Sequence, residues 1–203
     1  MKTSALQSED GLAAAFQQRR RFRGTLIWRV TLVLLLAVVS VRTQEPKPEP
    51  AYKIKAALLF NFAKFVEWPP EAFADKTSPW VIGVFAQKGQ NPFENHLEQT
   101  IRGKKVNDRP LRVKECYSVT EATNCHILFI CTSERERLPE IFDGLRDTHA
   151  LTVGETDDFI KTGGMIKFFP QGDKIRFEIN DDAAKKAGLK ISSKLLSYAI
   201  PAR

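Results

Sequence analysis

Three cysteines, Cys116, Cys125 and Cys131, are the side chains best suited to covalent chemistry in this 203-residue sequence. Cys116 ends one apolar run and Cys125 begins the next. On neighbouring strands their Cα atoms would fall within the roughly 4.4–6.8 Å that a disulfide needs. Cys125 and Cys131 would lie about 20 Å apart along one strand, which disfavours that pairing. Cys131 then reads as a buried free thiol. In an oxidising compartment an odd count means one bridge plus one thiol, or a link to another chain. The three histidines, His96, His126 and His149, lie in separate elements at no metal-ligand spacing. Cys125 and His126 are adjacent, and adjacent strand residues point to opposite faces, so they make a poor nucleophile–base pair. Gly163 and Gly164 could open an anion nest, although a tight turn into a strand is the plainer reading. Lys190, Ser192 and Ser193 offer a cation and two hydroxyls to an anion, and helix capping accounts for one serine equally well. Asp157 and Asp158 read as the solvated first turn of a helix. No phosphate loop, dinucleotide fingerprint or nucleophile elbow is present. No enzyme, metal or cofactor is expected from this inventory.

The charge distribution separates the first fifty residues from the rest. Residues 1–50 hold 8 basic and 4 acidic side chains, against 23 and 20 in residues 51–203. The larger part is nearly balanced and shows no basic stripe interleaved with aromatics, so nucleic acid is not an expected partner. Residues 30–41 form a short apolar run behind Arg19, Arg20, Arg21, Arg23 and Arg29. A bilayer span takes roughly 20 apolar residues, so this run fits a signal-peptide core, with an uncleaved anchor as the alternative. The basic flank stays cytoplasmic and sends the remainder outward. Arg19-Arg20-x-Phe22 is a weak twin-arginine match. Three prolines at alternate positions, Pro46, Pro48 and Pro50, predict an extended spacer. The expected organisation is an export signal or anchor over 1–43, a spacer over 44–51 and one domain over 52–203.

Within that domain, Ile54, Ala57, Leu58, Phe62 and Phe65 recur at spacings of three and four, and Phe60, Leu59 and Ala63 widen that face, which predicts a mostly buried helix over 53–66. Trp68-Pro69-Pro70 stops it. Strands are expected at 80–85, 110–116, 126–130, 150–153, 165–169 and 174–179, the last two joined by a turn at Gln171-Gly172-Asp173. Helices are expected from Asn91 to Ile101, from Ser133 to Leu145, over 157–161, over 181–187 and over 191–199. This order predicts an α/β fold: a mixed β-sheet with helices on both faces and a C-terminal β-hairpin followed by short helices.

Five segments in order, KIKAALLFNFAKFVEWP (53–69), CHILFI (125–130), GGMI (163–166), RFEIN (176–180) and GLKISSKLL (188–196), resemble the YfiR-like periplasmic proteins over most of 52–198. The resemblance implies regulation without catalysis. Such proteins can dimerise, and the best-known kind represses an inner-membrane diguanylate cyclase, lowering cyclic-di-GMP and biofilm formation. It therefore implies an inner-membrane signalling partner, a diguanylate cyclase or a sensor kinase, and periplasmic localisation. The family's disulfides are not carried over, since the first strand and the region of Gly163 lack cysteine; Cys116–Cys125 would be a local substitute. Phe60, Phe65 and Trp68 are the expected partner surface, because this segment has more aromatics than one helix face buries; the alternative is that all of them serve the core, a reading that suits Phe62 and Phe65 better. A small-molecule sensor is the alternative, with its pocket at the strand ends near Phe85-Ala86-Gln87 and Cys131-Thr132-Ser133.

Overall fold

The computed structural model describes residues 48–93 and 95–201. The export segment and residues 44–47 of the spacer lie outside the described residues. Contacts divide the chain between Glu45 and Pro46.

The first described element is helix α1, Pro48–Phe65. Its start corrects the spacer boundary: residues 48–51 are helical, not extended. Pro48 and Pro50 sit in the first turn, where the N–H that proline lacks has no intrahelical partner anyway. A short strand β1, Val66–Glu67, follows and pairs antiparallel with β9, Lys190–Ile191, so the helix exit is tied to the C-terminal region.

The main sheet has seven strands: β2 Trp80–Phe85, β3 Lys105–Val106, β4 Arg109–Cys116, β5 Ile127–Ile130, β6 Leu151–Gly154, β7 Ile166–Gln171 and β8 Lys174–Ile179. Their spatial order is β3-β4-β2-β5-β6-β7-β8. The inner five run parallel, and β3 and β8 close the two edges antiparallel. The sheet is therefore mixed, as its sequence predicts. Central parallel strands buried on both faces must be apolar throughout. Ile82, Val84, Ile127, Phe129, Leu151 and Val153 accordingly face one layer, and Phe85, Leu128 and Ile130 face the other.

The first layer comprises α1, α2 His96–Ile101, α6 Asp181–Lys186 and α7 Ser193–Tyr198. The second comprises α3 Val119–Ala122, α4 Leu138–Gly144 and α5 Phe159–Thr162. Two helix starts differ from expectation. Asn91 does not cap a helix; its Oδ1 accepts from the Phe93 N–H (3.0 Å) and its amide donates to Glu115 (2.8 Å), making a turn that delays α2 to His96. Ser133 and Glu136 form no capping box, because residues Thr132–Arg137 wind as a 3₁₀ helix and α4 starts only at Leu138. The capping at Asn180 and Ser192 follows the sequence: each side chain accepts from the N–H three residues on.

The rotation of α1 is the instructive difference. Ala56, Leu59, Phe62, Ala63 and Val66 are buried, and Phe62 stacks on Phe168 and meets Phe177 edge-on. Of the expected face Leu59, Phe60, Phe62 and Ala63 are buried, whereas Ala57 and Ile54 are exposed and Leu58 and Phe65 are half-buried. The helix is turned so that small Ala56 and Ala63 lie close to the sheet and buried Lys55 meets Glu155. Phe62→Ala should therefore cost about 3–5 kcal/mol in urea unfolding, whereas Ile54→Ala should stay within about 0.5 kcal/mol. Equal losses at the two positions would contradict this orientation.

Candidate functional site

The two cysteines expected to bridge do meet, by a different route. Their strands are not neighbours: β2 runs between β4 and β5. Gly83 on β2 leaves the room. A Cβ there would come 2.5 Å from Cys125 Sγ, so any larger residue would push that sulfur away. Cys116 Sγ and Cys125 Sγ lie 3.7 Å apart as buried thiols. A hydrogen bond from Cys125 biases Cys116 toward thiolate, with Lys114 adding to it against the opposing effect of burial. Cys125, as the donor, is held well above the ordinary thiol range. Cys131 stands apart on the other face, its thiol pushed up to about 12 by burial and then by Glu155 and Glu134.

His126 and Cys125 diverge to opposite faces, as adjacent residues entering a strand should. His126 Nδ1 accepts the Val81 N–H at 3.0 Å, and its ring stacks on Phe73 at 4.4 Å. Its pKa falls to about 4, first because burial disfavours the imidazolium and further because Arg109 is near. No nucleophile–base pair results. Among the described residues no group of three or more His, Cys, Asp or Glu is placed to hold a metal.

The expected anion contacts do not assemble. The Gly163 and Gly164 N–H groups already donate to Ile160 and Phe159 carbonyls, closing α5, so no nest is open. Gly164 is needed for packing, since a Cβ would lie 2.2 Å from the Phe159 ring. Lys190 pairs with Glu67 across β9 and β1 at 3.1 Å. Ser192 caps α7, and Ser193 begins that helix exposed.

The strand ends are used in reverse of the expected sense. At the carboxyl ends Gln87 Nε2 donates to the Ser133 carbonyl at 3.4 Å. There Glu155, just beyond β6, accepts from Tyr52 (2.8 Å) and Thr132 (3.3 Å) and pairs with buried Lys55. Burial, then the charge and hydrogen bond of Glu155, hold the Tyr52 phenol far above its ordinary value. The 480 Å³ cavity lies at the amino ends of β2, β5 and β6, lined by Val81, His126, His149, Glu71 and Asp147 among others.

The three residues expected as a partner surface part company. Phe60 is 8% exposed, with Lys64 and Lys104 ammonium groups over its ring at 4.1 and 4.5 Å. Trp68 turns inward, donating Nε1–H to the His149 carbonyl at 2.9 Å and packing edge-on against Trp80. Only Phe65 is left at an opening. With Leu58, Asn61, Phe62, Ile175, Phe177 and Tyr198 it lines a 260 Å³ groove between α1, β8 and α7, rimmed by Arg176 and Lys194. Tyr198 and Ile175 escaped sequence reasoning; the signal was Tyr198 three residues after Leu195 on the last helix, on one face with it.

These features define a layered α/β domain that presents clefts and a thiol pair and brings no catalytic set together among its described residues. The YfiR/HmsC-like family model matches residues 52–200, and the chain belongs to that family. The family is periplasmic, regulatory and tied to cyclic-di-GMP signalling. No curated protein matches the chain.

Two outcomes follow. Protein taken from an oxidising compartment and denatured without reductant should show one titratable thiol, and reduction should cost about 2–3 kcal/mol of stability for a loop of this size; three thiols would leave the pair as packing alone. Because the folded pKa of His126 lies below the ordinary 6.5 of an exposed imidazole, the unfolded state takes up a proton first. The full His126 contribution is present above pH 6.5 and is lost as pH falls toward 4, on the order of 3 kcal/mol. His126→Phe should flatten that limb of a stability–pH curve.

Proposed function

We propose that this chain is an exported, non-enzymatic regulator that binds the periplasmic part of an inner-membrane signalling protein, a diguanylate cyclase or a sensor kinase, and represses it. One observation carries the reading: an apolar groove remains open at the sheet edge although the domain has a complete core elsewhere. Its 260 Å³ is below the roughly 300–1,000 Å³ of pockets that enclose a small molecule. It is the right scale for the anchor side chains of a protein partner. Family membership supports the same class of function. The Cys116–Cys125 pair would act as a local disulfide in the periplasm, and a homodimer remains compatible with the groove. A second reading, a small-molecule sensor, is favoured by the 480 Å³ cavity beside His126, whose size does fall in that range.

The test is in cells. Deleting the full chain from its host should raise cyclic-di-GMP, and the full chain carrying Phe65→Glu should fail to lower it again while remaining exported and folded. Unchanged cyclic-di-GMP in the deletion would reject a cyclase partner. Copurification of a small molecule lost on Asp147→Leu would favour the sensor.

A further inference from the structure

We infer that the groove at the α1–β8–α7 corner receives an acidic amphipathic helix of the partner, a conclusion that rests on the regulatory reading above. The apolar part of the argument starts from the rotation of α1. Turning Phe62 onto the sheet leaves Ile54, Leu58 and Phe65 along one flank, at spacings of four and seven. Over those eleven residues a helix rises about 16 Å, so the strip is three turns long. Three large hydrophobic residues are exposed among the described residues, and two of them, Ile54 (44%) and Tyr198 (60%), stand along this strip. The third, Tyr117, hydrogen-bonds Glu115 through its hydroxyl. An apolar strip of this length beside a groove matches the seat of a helix that anchors through residues repeating every three or four positions.

The charge around it selects the sign of that helix. Lys194 lies 5.3 Å over the Phe65 ring and forms no ion pair among the described residues. Arg176 donates to the Gln171 side chain at 3.3 Å and has no carboxylate partner among the described residues. Lys64, one residue before Phe65, sits over Phe60 and likewise has no carboxylate partner there. No acidic side chain lines the groove. The nearest acid on α1's exit, Glu67, is already paired with Lys190. Three cations around an apolar seat, none neutralised, disfavour a basic or lipid-inserting cationic helix and complement Asp or Glu on the rim of an incoming one.

The experiment uses the full chain in its own envelope. A photo-crosslinking benzoylphenylalanine replaces Tyr198, and the adduct is digested and sequenced. The expected adduct is a segment with apolar residues every three or four positions and acidic residues between them. Arg176→Glu with Lys194→Glu should lower its yield at least tenfold, and Arg176→Lys with Lys194→Arg should restore it. Label on phospholipid, on a second copy of this chain, or on a segment without acidic excess would overturn the proposal. So would a yield indifferent to charge reversal. A second label at Asn124, beside the 480 Å³ cavity, separates the two readings. Capture of a membrane signalling protein there, with none at Tyr198, sinks the groove and leaves the regulator standing. Capture of an acidic helix at Tyr198 from a protein with no signalling role supports the groove and sinks the regulator.

Discussion

Lys55 and Glu155 join the first helix to the end of a central strand, and much of the domain's geometry depends on that junction. Lys55 is a buried cation on the face of α1 that meets the sheet. Leaving such a charge without a partner costs several kcal/mol, so the helix can dock only where a carboxylate waits. Glu155 is there because β6 ends at Gly154, and its remaining oxygen is satisfied by Tyr52 and Thr132. The pair adds little net stability over a hydrophobic contact of the same volume. What it fixes is the register of α1 along the sheet and its rotation about its own axis.

That rotation decides which side chains are left over. With Lys55 pointed at Glu155, Ala56, Leu59, Phe62 and Ala63 must face the sheet. Ile54, Leu58 and Phe65 then fall on the flank, beside Tyr198 and β8. The open groove is thus the complement of the buried pair.

The layer order and the hairpin were legible in the sequence because they rest on local signals: β-branched runs for the central strands, Gly172 at the hairpin turn, Asn180 and Ser192 as caps. The rotation of α1 was not. Periodicity scores Ile54 and Phe62 alike, and it carries no sign of the carboxylate that meets Lys55 a hundred positions away. The thiol pair was legible as a pair but not as a geometry. Its contact runs over Gly83, and only the strand order puts that glycine between the two cysteines. Trp68 misled for a related reason: counting aromatics against one helix face misses that its N–H reaches the His149 carbonyl, eighty-one positions away.

Parallel α/β sheets normally offer their crevice at the carboxyl ends of the strands, where the chain order reverses. Here that reversal falls between β2 and β5, since β2 leads to β4 on one side and β5 lies on the other. The first turns of α1 sit on this position. Tyr52 packs edge-on against Phe93, and Lys55 and Tyr52 converge on Glu155 just beyond β6. The usual crevice is thereby filled by the protein's own helix and its ion pair. A fold closed at its customary site must present its recognition surface elsewhere. Openings remain at the amino ends, beside His126, in a 320 Å³ hollow lined by Leu145, Gly163, Met165 and Asn180, and at the β8 edge, where Phe65 lines the groove between α1 and α7. Of these, the edge is apolar and ringed by cations without a carboxylate partner among the described residues, which is the character of a surface made for another protein.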